Sequence, residues 1–242
     1  MATGVHRMIT LATDESDQGR NLQIARTHPG VSACLGIHPC DVHETRDRFE
    51  EIIEPHLDDP NVAAIGETGL DYFHPAPEGW SDDDYHGRQR DFLRRHFELA
   101  RKVGLNVVIH TRDRKGHASL EDALVIYREF SSDVRAVFHC FPGPPELARK
   151  VLDAGGLVSF TGIATFKNAQ DVVETVQAVP GDSFMLETDS PYLAPTPHRG
   201  KRCEPAYTRL TAEAIAVHRG VNLAALAKEA EETVDGFFRF PE

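Results

Sequence analysis

The chain has 242 residues, with 26 Lys and Arg against 38 Asp and Glu, a formal charge of −12 and 40% hydrophobic residues. That length accommodates one domain or two, and a parallel barrel of about 250 residues folds as one. No apolar run approaches the ~20 residues that cross a bilayer, and the acidic balance argues against a protein that grips nucleic acid over a broad basic surface.

In chain order, short and nearly continuous apolar runs alternate with amphipathic stretches. The runs are residues 7–13 (RMITLAT), 32–38 (SACLGIH), 62–67 (VAAIGE), 106–110 (NVVIH), 135–139 (RAVFH), 157–161 (LVSFT) and 184–187 (FMLE). Their continuity suits strands buried on both faces of a parallel sheet. Helices are expected over 14–28, capped by Asp14 and stopped by Gly30, and over 84–103, with Leu93, Phe97 and Ala100 on one face and Gly104 as the stop. Two more are expected over 145–154, before Gly155-Gly156, and over 204–218, before Gly220. The loop-rich stretch 74–84 (HPAPEGWSDDD) reads as an insertion after a strand. Seven strands alternating with helices predict repeated βα units, a barrel or a doubly wound sheet, in a single domain over 1–242. No G-x-G-x-x-G follows the first strand, which weakens a dinucleotide-binding reading.

The opening residues MATGVHRMITLAT lack the apolar core of a signal peptide. Cys34, Cys40, Cys140 and Cys203 form no C-x-x-C pair, which speaks against a zinc ribbon or disulfide framework and for a reducing cytoplasm.

Chemistry gathers where the apolar runs end: His38, Glu67, His110, His139 and Asp189 close five of them or follow directly. In a βα barrel these ends converge on one mouth, where catalytic residues of barrel enzymes sit. Imidazole with carboxylate suits a hydrolytic divalent ion such as zinc or manganese. Any one of these residues alone is better read as a cap, turn or hydrogen-bonded side chain. Five matched positions on independent strands are hard to explain that way.

The motifs around them resemble the TatD family of metal-dependent deoxyribonucleases. They are GIHP (36–39), AIGETGLDY (64–72), VIHTRD (108–113), FHCFPG (138–143), SFTGIATFKNA (159–169) and ETDSPYLAPTPHRGKRCEP (187–205), in the family's order over nearly the whole chain. The resemblance implies a TIM-type (β/α) barrel of the metallo-dependent hydrolase kind, one or two divalent ions (zinc, magnesium or manganese), and hydrolysis of DNA phosphodiesters, commonly as an exonuclease. It implies that Glu67 bridges metals, that His110 and His139 hold one ion, and that Asp189 holds the other and takes a proton from the attacking water. His38 matches a histidine at the mouth of the site. The partner implied is single-stranded DNA or the end of a duplex, with no role at a membrane. Cys203 stands where the family usually has Asn.

The departure is at the front, since no His-x-His occurs anywhere. Family members carry that pair on a first strand, so the barrel is expected to lack its first strand and helix, roughly 25–30 residues by the length of a βα unit. Three ligands, Glu67, His110 and His139, suffice for one catalytic ion, and a second is expected to bind weakly or not at all, with activity below that of a complete relative. Phosphates are expected to meet Arg112, with Arg114 and Lys115, and Arg199 and Arg202, with Lys201, in loops leaving the metal-bearing strand ends. Tyr72, Phe73 and Trp80, expected in the loop after Glu67, either stack on a base or pack the insertion. Two other readings compete: an amidase or esterase on the same metal scaffold, and a catalytically impaired binding protein, favoured by the missing His pair.

Overall fold

The computed structural model describes residues 3–241; Met1, Ala2 and Glu242, part of the expected 1–242 domain, lie outside the described residues. Strand and helix alternate: β1 (Met8–Leu11), α1 (Gln18–Thr27), β2 (Val31–Leu35), α2 (Glu50–Ile53), β3 (Val62–Tyr72), α3 (Asp82–Val103), β4 (Val107–Asp113), α4 (Ala118–Arg128), β5 (Ala136–Phe138), α5 (Pro145–Asp153), β6 (Leu157–Phe160), α6 (Gln170–Ala178), β7 (Phe184–Leu186), α7 (Thr208–Arg219) and α8 (Leu223–Asp235). Among the described residues each of the seven apolar runs forms a strand, and the strands follow one another in a sheet ordered β1-β2-β3-β4-β5-β6-β7. The registered pairs β1/β2, β2/β3, β3/β4 and β6/β7 are parallel. This is the α/β architecture that alternating βα units dictate.

Backbone packing groups the chain into two compact units, one of residues 7–137 with 238–241 and the other of 3–6 with 138–237. In the first, every residue of β2 is buried, as are Val62, Ala63, Ala64 and Ile65 of β3, so apolar side chains cover both faces. The long helix α3 starts at Ser81, whose hydroxyl accepts from Asp84 N–H, carries Asp82, Asp83 and Asp84 in its first turn, and stops at Gly104, whose φ of +69° suits glycine. Its inner face stacks Phe92 and His96 on Phe49, with ring centroids 4.7 and 4.2 Å away. His96 is fully buried; Nδ1–H donates to the Phe92 carbonyl and Nε2 accepts from Ile37 N–H, which anchors the residue before His38. The C-terminal segment returns to this unit, where Arg239 donates to the carbonyls of Val62, Leu57 and Asp59.

In the second unit, all four residues of β6 are buried and Phe160 lies 5.5 Å from Phe184, centroid to centroid. Arg219, ending α7, covers the Phe184 ring and donates to the Val176 and Val179 carbonyls. The four cysteines are free thiols. Among the described residues no helix is long and apolar enough to cross a membrane.

Two expectations need correction. Glu67 and His110 do not end their strands: β3 runs on to Tyr72 and β4 to Asp113, because Gly69–Tyr72 continue to pair with His110–Asp113. A backbone ladder does not stop where apolar side chains stop. The first helix begins at Gln18 rather than Asp14, since Asp14 instead closes a turn, its carboxylate accepting from the N–H groups of Ser16 and Asp17.

Candidate metal centre

In the first unit the ends of the leading strands bring three side chains together. His38 N–H donates to the Thr13 carbonyl at 2.7 Å and Glu67 N–H to the Ala12 carbonyl at 3.1 Å, so the residues just after β1 hold both backbones in place. Glycine makes this crowding feasible. A Cβ on Gly36 would lie 2.7 Å from Gly66 Cα, and one on Gly69, at φ +143°, would run into the His110 carbonyl opposite. The result is a cluster of His38, Glu67 and His110 whose donor atoms all lie within 4.8 Å of one another.

The protons sort the roles within it. His110 Nε2 lies 3.0 Å from Asp71 Oδ2, and Asp71 is 1% exposed. Burial alone would raise the Asp71 carboxyl, but the bonds from His110 and from the His74 N–H, with the imidazole charges, outweigh it and hold the carboxyl well below the usual range. An ionised Asp71 takes the Nε2–H and leaves His110 Nδ1 facing Glu67 Oε1 at 3.1 Å. A ring lone pair and a carboxylate oxygen repel at that distance unless positive charge lies between them, either a second proton on His110 or a cation. Ligands at ~2.0–2.1 Å around a tetrahedral ion sit about 3.3 Å apart. The donor set therefore fits a divalent ion. His38 is different: its Nδ1 accepts from Cys40 N–H at 3.1 Å. The ring proton then sits on Nε2, which points at Glu67 Oε1 3.6 Å away. In that tautomer His38 is a hydrogen-bond donor at the rim of the centre rather than a ligand.

The second unit repeats the device. His139 directly follows β5, and its Nδ1 donates to Glu187 Oε2 at 3.2 Å. Glu187 Oε1 accepts from Cys140 N–H at 2.7 Å and Ser159 Oγ–H at 2.5 Å. Burial would raise the Glu187 carboxyl, yet the His139 charge and these bonds lower it on balance. With Nδ1 on Glu187, His139 would offer an ion its Nε2. Asp189, three residues after β7, adds its charge near the Cys140 thiol, which burial pushes up to about 12, the His139 charge opposing and the Glu187 and Asp189 carboxylates adding to it.

Asp71 and Glu187 are the carboxylate partners that the sequence reading passes over: Glu187 closes the run 184–187 itself, and Asp71 lies four residues past Glu67. Their signal is indirect. Ligating histidines commonly pass their second ring proton to a carboxylate, and each acid stands inside a motif already singled out, GLDY and ETDSP.

The expected phosphate and base contacts divide. Arg112 lies on β4 rather than in the loop after it, its guanidinium 4.0 Å over the Phe73 ring, and Arg114, just past the strand, donates to the Phe73 carbonyl, so both arginines are braced on this exposed aromatic residue. Arg199 stacks 3.9 Å over Phe166, and Arg202 is exposed. Tyr72 corrects an expectation. It ends β3 rather than lying in the loop, its ring stacks on His86, and its hydroxyl donates to Asp122 while accepting from Arg90. One face of the ring is thus taken by His86. Trp80 is half-buried beside Tyr85 and Arg88 and packs the insertion.

The profile of the family described as "TatD related DNase" matches residues 1–239. The metal-dependent hydrolase YcfH of Escherichia coli K12 is 40% identical over 210 residues, 86% of this chain and 72% of its own length. The metal-dependent hydrolase YabD of Bacillus subtilis is 33% identical over 239 residues, 98% of this chain and 89% of its own. Among solved structures, the TatD homologue YJJV of Escherichia coli K12 superposes with a TM-score of 0.87 at 24% identity, covering 99% of this chain and 88% of that one, and so shares the barrel fold. A donor set suited to a divalent ion and a sequence matched from end to end meet in one conclusion: the chain belongs to the TatD family of metal-dependent hydrolases.

Proposed function

We propose that this protein hydrolyses DNA phosphodiester bonds, removing nucleotides from an end, in a reducing compartment where its cysteines stay thiols. The observation that carries the reading is the Glu67–His110 pair. His110 Nδ1 and a Glu67 oxygen lie 3.1 Å apart, with a buried carboxylate behind the imidazole, a spacing that takes positive charge between them and that a divalent ion would supply. Glu67 and His110 would hold that ion, zinc, manganese or magnesium, and the family resemblance adds His139 and Asp189 as ligands.

A divalent ion in such a site lowers the pKa of bound water towards ~7 and polarises a phosphoryl oxygen. The chain supplies the rest. Asp71 keeps His110 in the tautomer that presents Nδ1, and Glu187 does the same for His139 Nε2. Asp189 accepts the proton of the attacking water. His38, with its proton on Nε2, donates to a phosphoryl oxygen at the rim. Arg112, Arg199 and Arg202 pair with phosphates, two of them already stiffened against aromatic rings. This local positive charge reconciles a net −12 with a polyanionic substrate, and makes affinity modest and salt-sensitive.

The test is hydrolysis of end-labelled single-stranded DNA by metal-reconstituted protein and by its Asp189→Ala variant. The wild type should shorten the label progressively, and the variant should lose that activity while keeping its circular dichroism. Equal rates would refute the assignment.

A further inference from the structure

Beside the Glu67–His110 centre, and on its own ligands, the first unit gathers a thiol, a carboxylate and an imidazole: Cys40, Asp71 and His74. Cys40 belongs to the single turn after β2, while Asp71 and His74 straddle the end of β3. Cys40 Sγ lies 3.5 Å from His74 Nδ1, and His74 Nδ1 lies 3.1 Å from Asp71 Oδ1. Ligands on a tetrahedral zinc, with Zn–S ~2.3 Å and Zn–N or Zn–O ~2.0–2.1 Å, are separated by about 3.5 Å for S···N and about 3.3 Å for N···O. The two measured edges match. We propose that Cys40 Sγ, Asp71 Oδ1 and His74 Nδ1 form a second metal site, separate from the Glu67–His110 centre, for a thiophilic divalent ion of the zinc class.

Electrostatics and access agree with that assignment. Burial, then the charges of Asp71 and Asp41, push the Cys40 thiol up to about 12, with Arg112 as the opposing influence. The field that discourages a bare thiolate is the field that attracts a dication. Binding exchanges the thiol proton, released to solvent, for the metal–sulfur bond, and puts the His74 proton on Nε2. His74 has a side chain 46% exposed, which opens a path to solvent and leaves the fourth position to water. The bland alternative is a turn in which Asp71 Oδ1 merely accepts the N–H groups of Phe73 and His74, 3.0 and 2.9 Å away. Those bonds coexist with a metal contact on the same oxygen, as they do with the His74 ring now. Asp71 Oδ2 stays on His110, so one carboxylate would link the two ions and fix the start of the loop that carries Phe73.

The site depends on no assumption about the reaction, and a sulfur-specific readout separates its failure from failure of the nuclease reading. The fully reduced, metal-free chain is titrated with Co²⁺ and the near-ultraviolet sulfur-to-cobalt charge-transfer band is followed. The band should rise to one thiolate-bound ion per chain, vanish in Cys40→Ser, be lost or weakened in His74→Ala, and persist in Glu67→Gln. No band in the wild type overturns the proposal. So does a band that survives Cys40→Ser, since another cysteine would then supply it. A band that disappears in Glu67→Gln overturns it as well, because the sulfur would then belong to the Glu67 centre.

Discussion

His110 is held between two carboxylates with opposite tasks: Asp71 takes its Nε2 proton and Glu67 faces its Nδ1 lone pair. Replacing Asp71 by Asn keeps an oxygen for the Phe73 and His74 N–H groups but removes the charge that fixes the tautomer. Calorimetric titration should show divalent-ion affinity at this centre weakened by about 10–100-fold, the usual cost of losing such a partner; unchanged affinity would contradict the role. Nothing in the Asp71 side chain's local pattern distinguishes it from a turn residue. The ligand pair was legible because it sits at a switch from apolar to polar, whereas its support was not, because that contact is 39 residues distant in sequence. His96 illustrates a second kind of hidden residue. Burial pulls its pKa from 6.5 down to about 4, against the opposing bond to the Phe92 carbonyl, so it folds neutral. A group whose folded pKa is depressed in this way binds its proton in the unfolded chain first. Its stabilisation is complete above about pH 6.5 and is lost as pH falls towards 4, by about 2–4 kcal/mol at the lower end. Urea unfolding across that interval should give a flatter pH dependence in His96→Gln than in wild type, and identical slopes would remove His96 from the account.

At the scale of elements, β3 shows how far a hydrophobic pattern carries. Its first residues, Val62–Ile65, are buried and legible as a strand; its continuation, Thr68–Asp71, mixes polar residues and a glycine with the buried Leu70 and lies past the apolar run. What extends it is backbone pairing with β4, made feasible by Gly69 opposite His110. With φ at +143° and the His110 carbonyl where a Cβ would go, Gly69→Ala should cost about 2–5 kcal/mol and lower the thermal midpoint sharply. A variant that melts with wild type would show that the close approach is not required. Helices α3 and α7 were legible from their glycine stops, Gly104 and Gly220, both left-handed. Helices α4, α6 and α8 were not set out from the sequence, although Asn222, whose side chain accepts from Ala224 N–H, is an ordinary cap for α8. Helices α4 and α6 end on Glu129 and Val179 rather than on a glycine, so no stop signal marks them, and packing on the strands supplies most of the stability of such helices.

For the whole molecule, the seven strands and the α/β alternation were readable because buried parallel strands are apolar on both faces. Composition had no such reach: a charge of −12 says little about a substrate that, as proposed, would meet only a few arginines and an ion. Glu67 belongs to the centre both by geometry and by motif, and the proposed hydrolysis depends on it most. The most direct measurement compares the rate of nucleotide release from single-stranded DNA by metal-reconstituted wild type with that of Glu67→Gln, a change that preserves size while removing the charge. The rate should fall by at least about 100-fold, because a catalytic ion supplies several kcal/mol of transition-state stabilisation. A folded Glu67→Gln protein that releases nucleotides as fast as wild type would contradict the metal centre described here.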